Sequence, residues 1–220
     1  CMAIASAALA YRRNALMSAN KVTTKAPSAD VLAARENFAA FCTVLGKAPA
    51  KHMLEWHNEL CTGVDTECLL GVGGPNTAIL APRGSAKSTV LGLFAAWMIG
   101  RHAAAKQMLR ILYIAYMVDI SRAKSATIKG ILNSAKYREI FPMVRLSKIK
   151  RSDEYWSIDY EFAGIDTAGE EAFTVACGGL KGAITSKRSQ LVLIDDPIKS
   201  AASINNPDIR REMEQTWSNV

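Results

Sequence analysis

Ala81-Pro82-Arg83-Gly84-Ser85-Ala86-Lys87-Ser88-Thr89 is the stretch whose reading decides the fold. A short apolar run, Ala78-Ile79-Leu80, leads into it, and an apolar helical pattern from Val90 to Ile99 leads out. A strand that turns through small residues into a helix aims backbone N–H groups and the helix's positive end at one point, which suits a phosphate. Lys87 and Ser88 occupy the last two places of the pattern G-x-x-x-x-G-K-[ST], while Ala81 and Ala86 stand where its glycines belong. By itself such a loop also reads as an ordinary basic turn.

Further along comes Leu191-Val192-Leu193-Ile194-Asp195-Asp196-Pro197. Four apolar residues ending in two carboxylates describe a buried parallel strand that delivers acids to the C-terminal edge of a sheet. In P-loop ATPases the first such acid holds Mg²⁺. A core strand followed by an Asp-Pro helix start is the plainer reading of that segment alone. Two such motifs in this order, each closing an expected strand, imply an α/β nucleotide-binding ATPase core.

The surroundings agree. Expected strands at Thr77 to Leu80, Arg110 to Tyr116, Tyr155 to Phe162 and Phe173 to Cys177 alternate with expected helices at Val31 to Leu45, Pro49 to Cys61, Asp119 to Asn133 and Pro207 to Val220. That alternation implies a mainly parallel sheet flanked by helices, with ligands at its C-terminal edge. Ala3 to Ala10 reads as an N-terminal helix and Asn20 to Asp30 as a polar linker, so residues 1–30 form an appendage to a domain spanning 31–220. Half of the 220 residues are hydrophobic and 21% are charged, the balance of an ordinary globular chain rather than a disordered one. The five cysteines lack C-x-x-C spacing, which argues against a zinc site or a disulfide framework. No apolar run is long enough to span a bilayer. The net charge is +7, and 12 Lys and Arg against two acids crowd between Arg101 and Arg151. That density favours a polyanion such as nucleic acid, unless the charges lie on separate solvated helix faces.

Taken together these motifs resemble the ATPase domain of the large terminase subunit of tailed bacteriophages, the motor that packages DNA into procapsids. The resemblance runs from about Phe38 to Val220. It rests on the loop Ala81 to Thr89 with its early arginine, on Pro49-x-x-His52-x-x-x-Trp56 upstream, and on Gly182 to Arg188 followed by Leu191 to Ser200. It implies a P-loop NTPase of the RecA/ASCE-like kind using ATP and Mg²⁺. It also implies double-stranded DNA, a portal protein and a small terminase subunit as partners, and a homo-oligomeric ring, pentameric by family pattern, in the host cytoplasm at the portal vertex. The family's nuclease domain is not represented, and the start at Cys1 fits a fragment, so nuclease activity is not expected.

The same resemblance distributes roles. Pro82, Arg83, Gly84, Ser85 and Ala86 wrap the phosphates, Lys87 contacts the β- and γ-phosphates, Ser88 binds Mg²⁺ and Thr89 adds a hydroxyl to the α-phosphate. Arg83 senses the γ-phosphate. Asp195 is the Mg²⁺ ligand, and Asp196, standing where the family usually has glutamate, orients the attacking water. Arg188 is the candidate arginine finger acting on a neighbouring subunit, with Lys187 as its rival and a DNA-touching loop cation as the plain alternative. Trp56 and His52 line the adenine pocket or simply belong to the core; His57 and His102 read as structural. Two further readings remain: a helicase-like P-loop ATPase acting on nucleic acid, and a degenerate module that binds nucleotide without turnover.

Overall fold

The computed structural model describes residues 26–62, 76–170, 172–180, 188–198 and 205–217. The expected N-terminal helix and most of the loop from Gly178 to Gln190 lie outside them. In chain order the elements are α1 (Ala29–Glu36), α2 (Phe38–Val44), α3 (Lys51–Thr62), α4 (Lys87–Ala104), β1 (Ile111–Ala115), α5 (Val118–Asn133), α6 (Ala135–Ile140), β2 (Leu146–Arg151), β3 (Tyr155–Ile158), α7 (Tyr160–Ala163), β4 (Val175–Gly179), β5 (Leu191–Asp195) and α8 (Pro207–Trp217).

Among the described residues the sheet has five strands in the order β2-β3-β4-β1-β5. β1 is parallel to both neighbours, with Ala115 opposite Gly179 on one side and Asp195 on the other, so three C-terminal strand ends lie side by side. β3 is antiparallel to β2 and to β4, which makes the sheet mixed rather than mainly parallel. The reversal comes from a tight turn: Ser152 accepts a hydrogen bond from the Tyr155 amide and donates to its carbonyl, both at 2.9 Å. So short a connection joins only antiparallel strands.

Every residue of β1 is buried, as a strand flanked on both sides requires. Its alternate side chains enter two cores. Ile111 and Tyr113 join the large one with Phe94, Trp97, Ile128 and Leu132, while Leu112 and Ile114 meet Phe173, Ala176 and Leu180. α4 is apolar almost all round, because it lies between the sheet and the layer made by α1 and α2. Trp97 donates its indole N–H to the Ala34 carbonyl at 3.1 Å, and Phe38 stacks obliquely on Trp97 with centroids 5.4 Å apart. A Cβ on Gly100 would sit 2.2 Å from the Phe141 ring, so only glycine admits that approach.

Three expectations change in detail. The single helix expected over Val31 to Leu45 is two helices: Asn37 leaves helical geometry (φ −123°, ψ 122°) and its side chain caps α2 through the Ala40 amide at 2.9 Å. The strand expected over Tyr155 to Phe162 stops at Ile158, because Asp159 caps α7 and Gly164 closes it in a left-handed conformation. Residues 76–82 form no strand at all. The run Ala78-Ile79-Leu80 is apolar enough for one, but it pairs with no strand among the described residues and Leu80 is 95% exposed. Without a partner its backbone groups have no ladder to join.

His57 and His102 are core side chains. His57 stacks on Phe38 at 4.3 Å, and neither ring nitrogen of His102 has a hydrogen-bond partner among the described residues. Burial pushes His102 down from 6.5 to about 4, with the Arg101 charge adding to it. A depressed histidine is neutral in the folded protein while the unfolded chain still takes up protons. Its contribution to stability is therefore complete above pH 6.5 and is lost as pH falls toward 4, on the order of 3 kcal/mol at the acid end. His102→Leu is expected to flatten the loss of stability between pH 6.5 and 4 in denaturant unfolding. An unchanged pH profile in that variant would show that His102 does not control it.

Candidate nucleotide-binding site

The site lies where α4 begins. Its N-cap is Ala86, in the left-handed region (φ 64°), and no side chain caps the helix. The first turn contains no acid. The opening amides of an 18-residue helix thus point out without a side-chain cap among the described residues, which suits an anion. The loop reaches this point through a second left-handed residue, Gly84 (φ 82°), whose Cβ position faces open space. Between them the Ser85 hydroxyl donates to the Pro82 carbonyl at 2.7 Å and closes the turn.

Ala86 therefore holds the backbone shape that the glycine of the general pattern adopts freely. An alanine there costs about 1–2 kcal/mol.

Lys87 folds back over the loop, donating to the Ala81 carbonyl at 2.6 Å and the Pro82 carbonyl at 3.1 Å. Ser88, one residue further, donates to Asp195 Oδ1 at 2.9 Å. That bond joins the two motifs across 107 residues. Asp195 ends β5 and is 3% exposed, and its second oxygen accepts from the Tyr113 hydroxyl at 3.1 Å. Tyr113 is held neutral by burial first, then by the Asp195 charge, both raising its pKa. It is thus a fixed donor, which orients the carboxylate with Oδ1 toward Ser88.

Tyr113 is the residue that sequence reasoning missed. It lies 82 positions from Asp195, and only the parallel register of β1 and β5 brings them together. The available signal was a hydroxyl-bearing ring in the middle of an otherwise aliphatic strand.

The donor set fits magnesium. Two oxygens, Ser88 Oγ and Asp195 Oδ1, sit within hydrogen-bond distance of each other. Mg²⁺ commonly takes one or two protein oxygens and completes its octahedron with phosphate and water.

Asp196 follows with a left-handed backbone (φ 44°) and an exposed side chain. Asp and Asn are enriched several-fold in that region over longer side chains. The backbone thus accounts for an aspartate where the resembled family has glutamate.

Other expected residues stand apart. Arg83 and Thr89 are exposed on the loop and on the first turn of α4. Arg188 is exposed before the N-terminal end of β5, so the length of that strand, about 16 Å for five residues, separates it from Asp195. It does not join the Ser88–Asp195 pair of its own chain. Lys187 lies outside the described residues. Trp56 is half-buried, packed against the large core and edge-on to His52 at 5.4 Å. No protein-family model matches this chain and no curated protein matches it, so its function has to be read from this geometry.

Proposed function

We propose that this chain is the ATP-hydrolysing part of a DNA-translocating motor of the viral terminase kind. The observation that carries the reading is the Ser88–Asp195 hydrogen bond. It sets a lysine-bearing helix start against a strand-end acid, the pairing that holds Mg²⁺ and nucleotide phosphates in P-loop ATPases. In this reading Lys87 leaves the loop carbonyls for the β- and γ-phosphates, and Ser88 and Asp195 hold Mg²⁺. Bound Mg²⁺ would neutralise charge building on the transferred phosphoryl group. Asp196 orients the attacking water. Arg188 lies at the far end of β5, so it suits action on a neighbour's nucleotide in a ring rather than on its own.

The DNA half of the reading rests on the basic stretch Arg101 to Arg151 and on the resemblance described above. The portal and small-subunit partners and the place at the portal vertex belong to the same proposal. Among the described residues no helix is long and apolar enough to cross a membrane.

The test is ATP hydrolysis at low and high protein concentration, with and without double-stranded DNA. Turnover that rises with both is the expected result. Mg-ATP binding without turnover under all four conditions would favour a nucleotide-binding module instead.

A further inference from the structure

The basic stretch does not spread evenly over the surface. Four of its twelve cations pair with acids: Arg101 with Glu36, Arg110 with Glu170, Arg122 with Asp119 and Glu154, and Lys129 with Asp153. Four others, Arg138, Arg145, Lys148 and Arg151, line one open groove of about 560 Å³ between α6 and β2, and none has a carboxylate partner among the described residues.

The backbone explains how they converge. Leu146 pairs with Ile158 and Arg151 with Trp156, so β2 carries more residues than β3 over the same ladder and its surplus bulges. In a regular strand Lys148 and Arg151 would point to opposite faces. The bulge re-aims them to one side. Two of the cations are also held in place. The Arg145 guanidinium lies on the Phe162 ring, 3.7 Å from its centroid, and Arg138 donates to Asn133 Oδ1 at 3.0 Å. Stacking occupies the face of a guanidinium and leaves its in-plane N–H donors for an oxyanion.

We propose that this groove binds the phosphate backbone of double-stranded DNA. Four like charges held together repel one another, and a row of phosphates relieves that repulsion while releasing counterions. No aromatic ring lines the groove, so it offers no platform for the unstacked bases of a single strand. The charged contacts are all cationic side chains, which position a duplex without reading its sequence. The assignment of DNA rests on the motor reading above, but the site is separate from the nucleotide site. β2 and β5 are opposite edges of the sheet, about 19 Å apart across four strand spacings.

The experiment measures binding of a labelled duplex to the full chain by fluorescence anisotropy from 50 to 200 mM salt. Four phosphate contacts predict a slope of log affinity against log salt of about −3.6, and an affinity loss of about 10²-fold across that range. In the double variant Lys148→Gln/Arg151→Gln the slope is expected to flatten by about 1.8, with DNA-free ATP turnover unchanged. Lys148→Arg/Arg151→Lys is expected to retain the parent slope, which assigns the effect to charge, while the unchanged turnover of the glutamine variant excludes a fold defect. Lysine and a bulge on an edge strand also discourage pairing between chains. A double variant that aggregates but keeps the parent slope would show that this is their only role and overturn the groove. The same slope in a monomeric double variant would overturn it too, while the motor reading would stand with DNA contacts elsewhere. A parent that binds polyglutamate as tightly as duplex, with both lost in the variant, would make the partner an acidic protein surface. A parent that hydrolyses ATP but binds no duplex would overturn the groove and the DNA half of the motor reading together.

Discussion

Lys87→Ala is expected to lower ATP turnover by about 10²–10³-fold, the loss seen when one preorganised donor to a developing charge is removed. Among the described residues Lys87 holds two carbonyls of its own loop, Ala81 and Pro82, at the half-exposed start of α4. Water can replace it there, so stability should change little. The loss should therefore appear in kcat/KM for Mg-ATP with the melting temperature nearly unmoved. Lys87→Arg is not a rescue, because a planar fork on a longer stem does not reproduce a compact ammonium between two phosphates. Unchanged turnover in Lys87→Ala would remove the loop 81–89 as the nucleotide site.

The second large effect is expected from Asp196→Asn, at about 10²–10⁴-fold in kcat, the range for loss of a positioned proton acceptor. Asparagine tolerates the left-handed backbone at 196 as well as aspartate does, so the exchange deletes the charge and keeps the geometry. Nucleotide affinity should survive, because Ser88 and Asp195 are untouched. Asp195→Asn is the contrasting variant: it disturbs the acceptor of both Ser88 and Tyr113 and would weaken the proposed Mg²⁺ site, so binding and turnover should fall together. Equal hydrolysis by Asp196→Asn and the parent chain would exclude Asp196 from the mechanism.

The elements that were legible in the sequence are those whose signal is local. β1 and β5 are continuous apolar runs and α4 is an apolar helix opening on Lys-Ser-Thr, so each declares itself within about ten residues. β2 was not legible: Leu-Ser-Lys-Ile-Lys-Arg carries three cations, and its bulge spoils the alternation that marks a strand. Ala78 to Leu80 misled in the opposite sense, since a strand is made by its partner as much as by its own residues. At the site, Ser88 and Asp195 were singled out from motif spacing and do meet in a hydrogen bond, with Lys87 one residue before Ser88. Tyr113 was not readable, because its role depends on strand register. The charge between Arg101 and Arg151 was countable, but only the fold separates the paired cations from the four in the groove.

The strand order has a consequence for how the chain is made. β1, which lies between β4 and β5, finds its neighbours only after long loops have closed; the Arg110–Gln190 hydrogen bond beside it spans 80 residues. During synthesis α4 therefore emerges from the ribosome well before β5, with Phe94, Trp97, Met98 and Ile99 not yet covered by a completed sheet. Long-range parallel pairing is slow, and exposed apolar surface invites association in the meantime. The nascent chain should thus depend on holding chaperones most strongly until residue 195 has cleared the exit tunnel, when β5 can dock on β1 and the carboxylate that completes the site arrives with it.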